Sequence, residues 1–291
     1  MCIRDRTVYV NAGAGALINP NGYNITIAAP ITHGNGTPDG GLTVIGAGTL
    51  TLNGANTYTG NTTVTNGTLA LGGSGSIATS PRIIVGGGAT FDVSALGGFV
   101  LGSSQTLSNS SSTATLNGNI NTANGKVALT YAAGTPSFSV TNGTLTVPAT
   151  TTFKVNNTGT ALAIGSYKLI STNLNGSGLV TASTLPAVTV GGNGVAGGAG
   201  TPALQVNNSE LYLVVPSGVN TNPTNLTATV TGSTLSLTWP PDHLGWTLQT
   251  NAADLANTND WFPYPGSASV TNVNITIDPT QTNVFFRMVY P

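Results

Sequence analysis

Groups able to do acid–base chemistry are scarce in this 291-residue chain. Between residues 7 and 215 the carboxylates are Asp39, Asp92 and Glu210, and the single histidine is His33. Glycosidic-bond cleavage needs two carboxyl groups converging on one bond, or a carboxylate with a cation in one groove. These three acids are far apart in the sequence. Asp92 also falls between Phe91 and Val93 of an alternating run, which turns it to solvent. His33 and Asp39 share a loop and can approach each other, but no nucleophile or third group accompanies them, so two solvated loop side chains is the plainer reading. In Pro240-Pro241-Asp242-His243, adjacent side chains are expected to point apart, with Pro241 fixing φ and Asp242 bonding locally in a turn. No catalytic residue is expected, and the chain reads as a non-enzyme.

Cofactor and metal chemistry fare no better. Gly192-Asn193-Gly194-Val195-Ala196-Gly197 has the spacing of a dinucleotide-binding loop, but a helix must open at its last glycine to present N–H groups to the pyrophosphate. The next residues are Gly198-Ala199-Gly200-Thr201-Pro202, which no helix tolerates, so a flexible loop over 191–200 is expected and no cofactor. No acidic repeat offers the several oxygen ligands calcium requires. Aromatic side chains are the remaining candidates, because exposed rings stack on sugar faces. Trp239 and Trp246 share strand parity with Leu235, Leu237 and Leu248 and belong to a core. Trp261 and Tyr264, set among prolines, are the candidate carbohydrate platform.

The elements that must position these groups are short strands. Gly48-Thr49-Leu50-Thr51-Leu52 returns as Gly67-Thr68-Leu69-Ala70-Leu71, each alternating small polar with apolar residues and flanked by Asn-Gly or Gly-rich turns. Aligning inward residues gives steps of 19 from Leu50 to Leu69, 22 to Phe91 and 25 to Leu116. A turn signal at this period points to a solenoid, one coil per step, with three short strands and three turns of varying length. Tyr167–Ser171, Ala187–Val190 and Glu210–Val215 read as its last coils, nine or ten in all. From Leu226 onward about six strands with closely spaced turns suggest a small antiparallel sandwich, and all three tryptophans lie there.

Two resemblances attach to these stretches. Asn56-Thr57-Tyr58-Thr59-Gly60-Asn61-Thr62-Thr63-Val64, followed by Asn66-Gly67-Thr68-Leu69, resembles the autotransporter-associated β-strand repeat of bacterial passenger regions. That resemblance covers about thirty residues, 46–77, and implies a right-handed parallel β-helix on a secreted or surface-displayed protein. It brings no catalytic residues. Pro223-Thr224-Asn225-Leu226-Thr227-Ala228 with Leu235-Ser236-Leu237-Thr238-Trp239 resembles the opening of a fibronectin type III domain, one strand short.

The expected organisation is therefore all-β. A parallel β-helix spans 7–215, a linker 216–223 and a fibronectin-like sandwich 224–291. Met1-Cys2-Ile3-Arg4-Asp5-Arg6 carries three of the chain's fifteen charges and reads as a foreign lead. A native export signal is expected upstream, lost by truncation. With charged residues at 5% and a net charge of -1, neither an ordinary cytosolic enzyme nor a charged disordered tail fits. Arg82, Lys126, Lys154, Lys168 and Arg287 are dispersed along the sequence, so nucleic acid is not an expected partner. Extracellular glycans or other surface proteins are. One cysteine, Cys2, permits no intrachain disulfide, and no apolar run reaches the ~20 residues of a membrane span. These features define an exported, structural or adhesive surface rod, with the sandwich as cap or interaction module. Carbohydrate binding or processing is the alternative.

Overall fold

The computed structural model describes residues 2–3, 8–11, 13, 15–132, 134–173, 177–197, 199–281 and 283–290. Of the foreign-reading lead, only Cys2–Ile3 falls within them, as a short strand pairing in parallel with Thr26–Ile27. The chain divides into two compact units. One comprises residues 1–196 and 202–215, the other 197–201 and 216–291.

In the first unit the strands stack into sheets. One face is a ten-stranded sheet whose first eight strands, Cys2–Ile3 through Gly165–Thr172, pair in parallel. A second is an eight-stranded parallel sheet running from Ala16–Ile18 to Val188–Gly192. A third, of four strands, begins only at Phe99–Val100 and continues through Ile120–Asn121 and Thr144–Thr146 to Leu179–Thr181. Parallel pairing between successive coils is the architecture of a β-helix. Eight rungs at the ~4.8 Å strand spacing stack over about 34 Å.

Register explains the core. Leu50 pairs with Leu69, Leu69 with Phe91, Phe91 with Leu116 and Leu116 with Val140, so the steps of 19, 22 and 25 residues are coil lengths. All five residues are buried to within 1%. Each inward side chain thus rests on the one below, and Phe99 of the third face meets Phe91 edge to face at 5.4 Å.

The corners carry the repeat motif. Between Thr49–Leu52 and Thr62–Val64 the chain must turn without a third-face strand, and polar residues brace that turn. The buried Asn56 amide donates to the Gly54 and Ser76 carbonyls while its oxygen accepts from Ile31 N–H, joining three coils. Tyr58 is fully buried, and its hydroxyl meets Thr62 Oγ1 at 2.7 Å, which in turn donates to Ser80. Burial pushes the Tyr58 phenol well above its ordinary pKa. Gly60 is required by contact. A Cβ there would lie 2.3 Å from Gly41 N and 2.4 Å from Asp39 O, because two coils cross backbone to backbone.

Two expectations need correction. The solenoid has eight parallel rungs rather than nine or ten, because Glu210–Val215 is not a coil. It runs antiparallel to Gly165–Thr172 and turns from Ala203–Asn207, forming a hairpin on the ten-stranded face. An unpaired parallel edge is a template for association, and this hairpin covers the Gly165–Thr172 edge from within the first unit. The glycine-rich stretch 191–200 is also partly ordered. Gly191 and Gly192 end the last rung of the second face, and Val195 bridges to Leu162.

The second unit contains two three-stranded antiparallel sheets. Thr227–Thr231, Thr234–Thr238 and Asn272–Thr276 form one; Phe262–Pro263, Thr247–Asn251 and Phe285–Val289 form the other. Leu237, Trp239, Leu248 and Val273 make their shared core. Residues 217–222 do not behave as a free tether. Trp246 Nε1–H donates to Asn220 O and His243 Nε2 meets Asn222 O, both at 2.8 Å, holding this segment on the second unit.

Candidate functional site

The solenoid carboxylates are each bound to local partners. Asp39 is buried, not solvated as the sequence suggested. It accepts from the N–H groups of Thr59, Gly60 and Gly41 and lies 2.9 Å from His33 Nδ1. Burial alone would raise its pKa, but the bonds from Thr59, His33, Gly41 and Gly60 outweigh that and hold the carboxyl below its usual range. Asp39 is thus an anionic staple between two coils. Glu210 is the corresponding group of the hairpin. Lys168 Nζ approaches it at 2.8 Å, Tyr212 donates its hydroxyl, and Thr172 N–H adds a longer bond of 3.3 Å. Desolvation opposes ionisation of Glu210, but Lys168 and Tyr212 more than offset it and its pKa falls. Asp92 faces outward from the ten-stranded sheet and accepts from Ser94. The three acids do not share a groove.

Asp242 and His243 meet, contrary to the expectation that they point apart. Pro241–His243 forms one 3-10 turn, which swings His243 Nδ1 to 2.8 Å from the Asp242 carboxylate. The imidazole is buried, its other nitrogen is taken by Asn222 O, and its ring lies 5.1 Å from that of Trp246. The Asn222 carbonyl, with Asp242, raises its pKa above the ordinary value. Every ring nitrogen is engaged, which makes this pair a staple for residues 220–222.

The second unit also holds an open apolar cleft of about 320 Å³. Leu235 and Ile275 line it from one sheet and Phe286 from the other, with Tyr264 beside them and Asp278 and Gln281 at its polar margin. Thr280 holds one Asp278 oxygen through its hydroxyl and N–H, depressing the Asp278 pKa. An apolar concavity with a few polar groups at its edge is the usual form of a small-ligand site. Of the two platform candidates, Tyr264 lines this cleft and packs against the core cluster. Trp261 is not part of it; the Arg287 guanidinium covers its ring at 4.2 Å from the centroid. Sequence reading missed Phe286, Asp278 and Gln281. Phe286 was legible only as a strand residue, and the other two lie in a turn with no motif.

Among the described residues, no group of three or more His, Cys, Asp or Glu is placed to hold a metal. Nor is any helix long and apolar enough to cross a membrane.

The fold therefore defines the first unit as a parallel β-helix with braced corners and an antiparallel end hairpin. Residues 42–71 match the model of the passenger-associated-transport-repeat family. The matched stretch runs from the second-face strand Leu42–Val44 to the first-face strand Thr68–Leu71, enclosing the Asn56, Tyr58 and Gly60 corner. Those thirty residues are an autotransporter-associated repeat, and they support a passenger-type, secreted or surface protein of a bacterium. Comparison with curated proteins and with solved structures returns no match.

Proposed function

We propose that this chain is a non-enzymatic rod exposed at a bacterial surface, with a structural or adhesive role, and that its C-terminal unit serves as a fibronectin-like interaction module. The observation that carries the reading is the passenger-type repeat built into an eight-rung solenoid. The absence of catalysis is supported by the engagement of Asp39 and Glu210 in staples, which leaves only the outward Asp92 among the solenoid acids. The test is incubation of the purified chain with a broad panel of polysaccharides, followed by measurement of released reducing ends. No release is expected; turnover abolished by Asp92→Asn would overturn the reading.

A second reading is carbohydrate recognition by the C-terminal cleft, favoured by Tyr264 beside polar groups at an apolar concavity. Glycan-array binding lost on Tyr264→Ala and retained on Trp261→Ala would place the site at the cleft. Loss on Trp261→Ala alone would move it to the Arg287-covered ring.

A further inference from the structure

Cations that are dispersed in the sequence are gathered by the coil register. On the eight-stranded face Arg82 pairs with Thr106, Thr106 with Lys126 and Lys126 with Thr152, placing the four in one outward column. Lys154 stands two residues beyond Thr152 on the same strand, also outward. At the strand spacing, Arg82 and Lys126 lie about 10 Å apart, and Lys126 and Lys154 about 8 Å. All three side chains are exposed. They are three of the four cations between residues 7 and 215. The fourth, Lys168, is tied to Glu210. Among the described residues, the solenoid's acids lie elsewhere. Asp39 is buried, Asp92 belongs to the ten-stranded face and Glu210 to the hairpin. Among the described residues, the eight-stranded face thus carries a positive strip with no acid on it, and at separations near the ~8 Å screening length of physiological salt each cation acts largely on its own, so a polyanion gains from the strip by bringing a separate anionic group to each.

We propose that the outward side of the eight-stranded face docks a linear carboxylated polysaccharide, a polyuronate, whose successive carboxylates meet Arg82, Lys126 and Lys154. The inference rests on the reading of the chain as a surface rod without catalytic activity, and it names the face and the ligand class. The spacing favours a polymer of modest charge density. Duplex DNA carries a charge every ~1.7 Å, and three cations this far apart would leave most of its phosphates unmatched. Single-stranded nucleic acid needs aromatic stacking platforms, whereas the outward positions flanking the cations, Ile84, Thr106, Ala128, Thr152 and Asn156, include no aromatic side chain. Hydroxyls and amides beside sparse cations suit a chain of sugars bearing one carboxylate each. Arg82 can take its carboxylate with two parallel N–H bonds, and the lysines act as point charges.

The experiment measures binding of the full chain to immobilised polygalacturonate, with uncharged galactan and duplex DNA as comparators, at low and physiological salt. Wild type is expected to bind polygalacturonate in preference to both comparators and to weaken with salt. The combined Arg82→Gln, Lys126→Gln, Lys154→Gln variant is expected to lose about tenfold in affinity. Thr106→Lys with Thr152→Lys extends the strip and tightens binding. Thr68→Lys with Thr115→Lys adds the same charge, at the same rung separation, to the ten-stranded face and leaves affinity unchanged. Undiminished binding by the glutamine variant, equal tightening by both lysine pairs, equal binding to galactan, or preference for DNA would each overturn the proposal. Reducing-end release from polygalacturonate separates the two readings. Cleavage with face-dependent binding sinks the non-catalytic reading and keeps the face; absence of both binding and cleavage sinks the face alone.

Discussion

The two units solve the same problem, burying apolar strands, by different means. In the solenoid each inward residue is covered by its counterpart one coil away, so Leu50, Leu69, Phe91 and Leu116 are wholly buried although their own strands are only three or four residues long. Repetition supplies the depth. The C-terminal unit has one small core instead, in which Trp239 remains 5% and Val273 8% exposed, and it adds polar staples around Asp242, His243 and Trp246. The lesson is that a stacked fold depends on residues permitting coils to approach, whereas a small sandwich depends on anchors that keep its loops in place. All three tryptophans lie in the second unit, so tryptophan emission reports on it alone, while far-ultraviolet circular dichroism reports on both.

That contrast can be broken most sharply at Gly60. Gly60→Val drives a side chain into the Gly41 and Asp39 backbone, and loss of the solenoid's cooperative circular-dichroism transition is expected, with tryptophan emission in the second unit unchanged. Loss of both signals together would show that the two units are not independent. A smaller effect is expected for Phe91→Ala, which removes a ring from the stack; about 3 to 5 kcal/mol should be lost in denaturant titration of the solenoid. Asp39→Asn removes the charge accepted from three backbone N–H groups and costs about 2 kcal/mol at pH 7. Because the folded pKa of Asp39 is depressed, its contribution is present above the ordinary carboxylate range and fades as pH falls through the folded pKa. The gap between wild type and Asp39→Asn should therefore close in acid, and a gap independent of pH would contradict the staple.

The smallest effect belongs to the other unit and has the opposite sign. His243 has a raised folded pKa, so its contribution is complete below its unfolded value, near 6.5, and is lost as pH rises through the folded value. Stability read from tryptophan emission should drop over that interval in wild type. In His243→Gln it should stay level.

How much was legible depends on how local each feature is. Alternation at Thr49–Leu52 and Thr68–Leu71, with glycine at the turns, is local, and it revealed both the period and the inward residues. The repeat was most visible where the coil is shortest, because no strand is described on the third side between Thr49–Leu52 and Thr62–Val64, and Asn56, Tyr58 and Gly60 brace the corner instead. Glu210–Val215 misled because an antiparallel hairpin strand and a coil strand alternate identically; only the partner distinguishes them. Asp39 misled because two of its donors are the backbone N–H groups of Thr59 and Gly60, in a coil twenty residues later, which no side-chain pattern announces.

By itself the sequence determined an all-β chain, its coil period, its buried columns and the near absence of titratable groups, since these arise from side-chain alternation, turn residues and composition. Tertiary structure alone decided how many coils stack, what covers the end of the first sheet, that Asp39 is a buried staple, and that Arg82, Lys126 and Lys154 stand on one face. The reason is geometric. Residues more than twenty positions apart become neighbours only through inter-coil register, and register is set by turn lengths summed along the chain rather than by any residue read alone.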